Sequence, residues 1–233
     1  MQIRSPRSGY ASNSDADVAI DPRRGASRWW VVGLLTICLL NNALCFDIQV
    51  SAKDQTGRPI EGAVIWAEVS RAGAPAPTRT EIVQKNRQFI PPVTVVPVGS
   101  LVRFPNWDNV QHHVYSFSAA KTFDIPLYIG ESPKVIEFSS PGIVSLGCNI
   151  HDWMFAYIVV LDTAVFAKTD ANGTALLRNL PSEAGSIIGW CPRLRGAPVK
   201  VDLQAGRSSV ELTMRLRPVF QRTPPDDRGG SYR

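Results

Sequence analysis

Past residue 46, the chain alternates short apolar runs with clusters of Gly, Pro, Asn and Asp, and no stretch has the period of an amphipathic helix. Residues 46–52 alternate apolar and polar side chains, a turn follows at 54–57, and an apolar run returns at 63–69. Further strands are predicted at 93–98, 101–104, 114–117, 134–138, 143–146, 199–203 and 210–216. Many short strands at this spacing predict an all-β fold, a sandwich or a barrel.

Two other stretches carry specific predictions of local structure. Residues 156–161 are β-branched and continuously apolar, which predicts a buried central strand. The sequence Asp-Ala-Asn-Gly at 170–173 predicts a hairpin turn, because Asn-Gly supplies the positive φ values that tight hairpins need.

The amino-terminal segment has the pattern of an export signal. Residues 1–28 are polar and basic, and an apolar run follows at 29–40. This run is about a dozen residues long, whereas a membrane-spanning helix needs roughly 20. The pattern predicts a secretory signal peptide over 1–45, and hence a periplasmic or otherwise exported protein. The alternative is an uncleaved amino-terminal anchor, which would be the chain's attachment to a membrane.

The same signals divide the rest of the chain into four parts. Residues 46–83 form amino-terminal strands and an Ala/Pro-rich loop, and residues 84–162 form the core that carries the candidate chemistry. Residues 163–217 form a carboxy-terminal β segment. Residues 218–233, rich in Pro, Arg, Asp and Gly, are predicted to be a disordered tail.

Composition narrows the choice of function class. Hydrophobic residues make up 44% of the chain and charged residues 19%, with a formal net charge of +5, as expected of a globular protein. Basic residues form no run and do not interleave with aromatic residues, so nucleic-acid binding has no support. The mild positive charge favours docking to an acidic partner.

Candidate metal ligands concentrate in one loop. Segment 147–154 reads Gly-Cys-Asn-Ile-His-Asp-Trp-Met and lies between two predicted strands. It places the thiol of Cys148, the imidazole of His151 and the thioether of Met154 within seven residues. This loop can therefore bring three soft or borderline ligands to one ion.

The other two of the three histidines, His112 and His113, are adjacent and come from a distant strand. Two imidazoles and a thiolate in a trigonal plane, with a weak axial thioether, describe a type 1 (blue) copper site. A zinc site of cysteine, two histidines and Asp152 or water is an alternative, but it leaves Met154 without a role. In a third interpretation, these side chains only pack in a β-protein.

The loop pattern Cys-x-x-His-x-x-Met resembles the copper loop of the cupredoxin family in its shortest, amicyanin-like form. Segment 106–114 resembles the cupredoxin run in which a ligand histidine is followed by Asn-Val, and segment 94–104 resembles the strand–turn–strand before it. The resemblance covers about residues 84–161 and is closest to plastocyanin-like proteins labelled as methylamine-utilisation proteins. It implies a Greek-key β-sandwich, one copper ion and single-electron transfer.

The resemblance implies four metal ligands: His112, Cys148, His151 and Met154. Strand parity favours His113 as the first ligand instead, because His113 shares a face with Tyr115 and Phe117. Many cupredoxins have proline just before the loop histidine. Here the residue is Ile150, which leaves a backbone N–H without an evident partner.

The expected function is electron transfer with a protein redox partner. Trp153 and Phe155 flank the loop, where they either pack against the sandwich edge or form an apolar patch for that partner. The rival hypotheses are a copper storage or delivery module without electron transfer, and a structural β-domain with a zinc or degenerate site. An enzyme is not expected, because a site with four protein ligands offers no open position for a substrate.

Two features outside the loop carry further structural predictions. Cys191 has no motif partner, which predicts a buried structural thiol. Segments 54–63 and 170–181 resemble hairpins of transthyretin-like or carboxypeptidase-regulatory β-domains. We therefore expect the segments that flank the cupredoxin core to form extra β structure, jointly as a second small transthyretin-like or Ig-like sandwich.

Overall fold

The computed structural model describes residues 45–69, 75–182, 185–204 and 206–219. These residues form strands and turns without an α-helix, and no helix among them could span a membrane. The predicted signal peptide lies outside the described residues except for Cys45, and so does the tail from residue 220.

The described part of the chain contains seventeen strands. They are β1 (Cys45–Asp54), β2 (Val64–Glu68), β3 (Arg79–Glu81), β4 (Val83–Lys85), β5 (Gln88–Ile90), β6 (Val93–Pro97), β7 (Ser100–Arg103), β8 (His112–Ser118), β9 (Lys121–Tyr128), β10 (Ile136–Phe138), β11 (Gly142–Gly147), β12 (Phe155–Leu161), β13 (Phe166–Lys168), β14 (Thr174–Pro181), β15 (Ser186–Trp190), β16 (Val199–Asp202) and β17 (Ser209–Met214). The all-β class predicted from the sequence is confirmed.

Strands from both flanks of the chain build one sandwich, which we call the flanking sandwich. Its sheets have the orders β14-β1-β17 and β13-β2-β15-β16. In β1, alternate residues such as Ile48 and Val50 point into a core that they share with Ile187 and Leu212. Burying these apolar side chains is what holds sequence-distant segments together. The extra β structure expected on either side of the core therefore forms jointly.

The strands between them, β3 to β12, form the central sandwich. A five-stranded sheet of order β6-β12-β11-β8-β9 encloses an apolar core together with a three-stranded sheet β10-β7-β3 and the hairpin β4-β5. Phe104, Phe138 and Ile158 are among its fully buried side chains.

Strand β12 belongs to both cores. Ile158 and Val160 point into the central sandwich, whereas Val159 and Leu161 pack in the core of the flanking sandwich. The strand lies between β6 and β11, so both of its edges are paired and both of its faces are buried. This explains why its sequence is continuously apolar and confirms the predicted central strand.

The prediction of a hairpin at 170–173 is wrong, although a turn forms there. Asp170 N–H donates to the carbonyl oxygen of Thr174, but β13 pairs with β2 and β14 pairs with β1, so the turn carries the chain from one sheet to the other. Gly173 has a φ of +71°, and Asn172 is not in the left-handed region.

Replacing Gly173 by alanine should strongly destabilise the protein. A Cβ atom there would lie 2.6 Å from the Ala52 carbonyl oxygen and 2.9 Å from Pro59 Cβ. Gly57 is the matched control, because its φ is +82° and a Cβ atom there would meet no other atom within 4 Å. In chemical denaturation, G57A should lose roughly 1–2 kcal/mol of unfolding free energy through its φ alone. G173A should lose more than about 3 kcal/mol, and equal losses for the two variants would contradict the clash.

Candidate metal centre

The predicted loop is held closed by its own backbone. It connects β11 to β12 over residues 148–154. The N–H of Met154 donates to the carbonyl oxygen of His151 at 2.9 Å, and the N–H of Cys148 donates to the carbonyl oxygen of Met154 at 3.2 Å. These two bonds fix the ends of the loop against each other, so the side chains of Cys148, His151 and Met154 start from one small region.

Three ligand atoms from distant parts of the chain converge at this loop. His112 Nδ1 lies 3.2 Å from His151 Nδ1, which in turn lies 3.7 Å from Cys148 Sγ. One ligand atom from each of the three residues falls within 4.8 Å of the others. Metal bonds of about 2.0 Å to nitrogen and about 2.3 Å to sulfur hold the ligand atoms of one ion about 3–4 Å apart. The residues therefore fit a shared metal ion.

Burial differs between the four predicted ligands. His112 is 0% exposed, Cys148 5% and Met154 1%, whereas His151 is half-buried at the edge of the protein. Cys148 and Met154 belong to the core of the central sandwich. His151 is thus the most exposed of the four predicted ligands.

His112, and not His113, belongs to this group of ligand atoms. In β8 the alternate residues His112, Val114 and Ser116 are buried, so His113 is on the outward face with Phe117, which is 79% exposed. His113 Nε2 lies 3.1 Å from the Asp124 carboxylate, without the alignment of a hydrogen bond. Strand parity points to the histidine outside this group, because the aromatic residues of β8 face outward.

A carboxylate that the sequence analysis does not single out contacts the buried histidine. Asp108 Oδ2 lies 2.7 Å from His112 Nε2. The same carboxylate accepts the backbone N–H of Asn86 at 2.6 Å and that of Arg87 at 2.8 Å. Burial acts to raise the pKa of Asp108, but the N–H groups and His112 outweigh it and lower the pKa. Asp108 is therefore a stable anion beside the centre.

The loop that carries Asp108 is held by the buried side chain of Asn106. Its Nδ2 donates to the carbonyl oxygens of Val110 and Tyr128 at 2.8 and 2.9 Å, and its Oδ1 accepts the N–H of Asp108 at 3.0 Å. Asx turns of this kind are a recognisable sequence signal. Which polar group such a loop faces depends on packing that a sequence does not display.

The local electrostatics favour a thiolate. Burial acts to raise the pKa of Cys148, but interactions with the positively charged form of His112 and with the backbone N–H groups of His113 and Ile150 lower it below its ordinary value. Burial acts to lower the pKa of His112, but interactions with Cys148 and Asp108 outweigh burial, and the pKa is raised. The N–H of Ile150, which had no evident partner in the sequence, thus interacts with the cysteine sulfur.

The pKa of His151 is shifted in the opposite direction from that of His112. Burial is the largest cause that lowers the pKa of His151, and the positive charges of His112 and Arg87 lower it further. Its imidazole is therefore disposed to remain neutral, which is the form that binds a metal.

Cys191 is the other buried cysteine of the described residues, and none of these residues forms a disulfide. It is 4% exposed in the core of the flanking sandwich, and burial raises the pKa of its thiol. The predicted buried thiol is confirmed.

No protein-family model and no curated protein matches this chain. A purple cupredoxin from Nitrosopumilus maritimus matches with 21% identity over 35% of this chain and 99% of that chain, at a TM-score of 0.32. A reduced amicyanin variant matches with 18% identity over 42% of this chain and 98% of that chain, at 0.34. A copper-containing nitrite reductase from Thermus scotoductus matches with 25% identity over 40% of this chain but only 25% of that chain, at 0.34. Part of the chain, about 40%, therefore matches cupredoxins in structure.

Proposed function

We propose that the chain binds one copper ion through the four predicted ligands and carries single electrons between protein partners outside the cytoplasm. The observation that carries this proposal is the convergence of His112, Cys148 and His151, with one ligand atom of each within 4.8 Å of the others. These atoms come from two elements far apart in sequence, and only the fold brings them together.

The donor set favours copper over zinc. Thiolate and thioether ligands suit Cu(I), imidazole suits Cu(II), and a site that combines them accommodates both oxidation states. Structural zinc sites are built from cysteine, histidine and carboxylate. Met154 is buried in the same core as Cys148, and its thioether is a ligand type that suits copper but not a structural zinc site.

The protein's own contribution is to hold its metal-binding side chains in fixed positions. Copper, when bound, supplies the one-electron couple. His112 is fully buried and contacts Asp108, and the backbone N–H groups of His113 and Ile150 favour the thiolate of Cys148 by lowering its pKa. Ligands held in this way change little in position between the two oxidation states. Four protein ligands leave no open position for a substrate, so the function we propose is transfer and not catalysis.

The partner we propose is a redox protein that docks beside the half-buried ring of His151. Trp153 packs against this ring with centroids 5.3 Å apart, and Phe155 is 51% exposed. The partly buried ring of Trp153 and the exposed ring of Phe155 flank the ligand loop and offer an apolar surface for such a partner.

Titration of the purified protein with Cu(II), followed by absorption spectroscopy, tests the proposal. An intense visible thiolate-to-copper band, lost reversibly on reduction, supports an electron carrier. Copper uptake without this band, or rapid loss of copper to a chelator, supports storage or delivery. Preference for zinc supports a structural site. The matched variants are H112N and H113N, of which H112N should lose the band and H113N should keep it.

Replacing Ile150 by proline should lower the reduction potential. Proline removes the backbone N–H that interacts with the Cys148 sulfur. That hydrogen bond is stronger in the reduced state, where the sulfur carries more charge, so its loss disfavours reduction. A differential loss of about 1 kcal/mol corresponds to roughly 40 mV for a one-electron couple.

Ile150→Val is the control, because it keeps the N–H and changes only a half-exposed side chain. Cyclic voltammetry of both variants measures the effect. In the metal-free protein, I150P should also raise the pKa of Cys148. A potential that is unchanged or higher in I150P would contradict the role of this N–H.

A further inference from the structure

Asp108 connects the buried metal-ligand histidine to a turn of the central sandwich. The turn between β4 and β5 has Asn86 and Arg87 at φ values of 54° and 55°, in the left-handed region. Their N–H groups donate to the two oxygens of the Asp108 carboxylate, one to each. The oxygen that accepts from Arg87 also lies 2.7 Å from His112 Nε2.

This contact decides where the proton of His112 resides. An ionised carboxylate only accepts hydrogen bonds, so a bond with His112 requires hydrogen on Nε2. A neutral imidazole carries one hydrogen, so its Nδ1 is then a bare lone pair. Nδ1 is the atom of His112 that faces His151 at 3.2 Å.

The neighbouring histidine provides an internal comparison. His113 also lies near a carboxylate, that of Asp124 at 3.1 Å, but on the outward face of β8 and away from the group of ligand atoms. Asp124 is also more exposed than Asp108, with side-chain exposures of 58% and 12%. His112 and His113 are adjacent on β8 and each lies near an aspartate, but only His112 belongs to the group of ligand atoms.

We propose that Asp108 is the positioning residue of this centre: it fixes His112 in the Nε2-protonated tautomer, with Nδ1 directed at the metal, and its negative charge lowers the reduction potential. The part that concerns the potential rests on the proposed copper function. The part that concerns the tautomer does not, because it is a property of the metal-free protein.

The first experiment therefore uses the metal-free full chain. Nitrogen NMR of the imidazoles at alkaline pH, where histidine is neutral, reports which ring nitrogen carries hydrogen. We expect Nε2–H for His112 in the wild type and in D124A, and a mixture of tautomers in D108A. Nδ1–H in the wild type, or an unchanged His112 tautomer in D108A, would overturn the proposal.

D108N removes the charge while its amide oxygen can still accept from His112 Nε2 and the Arg87 N–H, and its NH2 group then replaces the oxygen that accepts from Asn86. If D108A does not fold, as thermal unfolding would show, D108N carries the test. We expect D108N to keep the Nε2–H tautomer, whereas complete conversion to Nδ1–H would support a different anchor for His112 and overturn the proposal.

The second experiment uses the copper-loaded protein. Loss of a partner that orients a metal-binding histidine costs about 10–100-fold in metal affinity, which we expect for D108A in competition with a chelator. D108N should raise the reduction potential, and D124A should change neither quantity. Equal changes in D108A and D124A would contradict a positioning role. A wild type that binds no copper would refute the proposed function and leave the tautomer result to decide the role of Asp108.

Discussion

Cys148→Ser is expected to abolish the visible charge-transfer band of the copper-loaded protein and to lower its copper affinity more than about 100-fold, beyond the usual effect of losing an outer contact. The hydroxyl of serine keeps the size of the side chain but remains protonated at neutral pH. Cys148 is the residue of the centre whose pKa is lowered by hydrogen bonds to its charged form. Absorption spectroscopy and chelator competition measure the two effects.

Cys191→Ser is the matched control, because the two thiols are almost equally buried, at 5% for Cys148 and 4% for Cys191. The Cys191 thiol lies in the other core and its pKa is raised by burial. C191S should therefore retain the band and the affinity, with a modest loss of stability. If C148S kept the band, the proposed ligand set would be wrong.

Asn106→Ala is expected to have the largest effect on stability among polar substitutions around the centre. The side chain is 2% exposed and makes three hydrogen bonds to the backbone, at Val110, Tyr128 and Asp108. Alanine leaves two carbonyl groups and one N–H unsatisfied, which should cost roughly 2–4 kcal/mol of unfolding free energy. Chemical denaturation measures this loss.

The same substitution should also weaken metal binding, since the Asp108 N–H loses the acceptor that orders its loop. Asn149→Ala provides the comparison, because Asn149 is exposed in the ligand loop. N149A should change the unfolding free energy by less than about 0.5 kcal/mol. If N106A also changed the unfolding free energy by less than about 0.5 kcal/mol, the Asn106 amide would not be needed for the structure of the 106–110 loop.

Several strands could be predicted from the sequence, including β6 and β17 at the edges of their sheets, whereas β9 and the interior strand β15 were not. The alternation of residues 46–52 corresponds to β1, and the continuous apolar run at 156–161 corresponds to β12. Strand β9 was not predicted, because it is at the edge of its sheet and buries few of its side chains. Its sequence therefore lacks the regular apolar alternation that marks a half-buried strand.

The pairing between strands was harder to predict from the sequence than the strands themselves. The turn at 170–173 has hairpin chemistry, yet its two strands enter different sheets. A turn specifies only how the chain reverses locally. Which strand lies beside which depends on how the apolar faces of distant segments pack together.

The candidate ligands were accessible from the sequence because their types and spacing carry the chemistry. Three metal-binding side chains within seven residues define the loop, and the resemblance to cupredoxins supplied the fourth position. The sequence alone therefore determined an all-β protein with a candidate site of histidine, cysteine and methionine. Whether His112 or His113 turns inward required the tertiary structure, since only packing decides which face of β8 is buried. The contact of Asp108 with His112 required it as well, because it depends on where two loops meet in space.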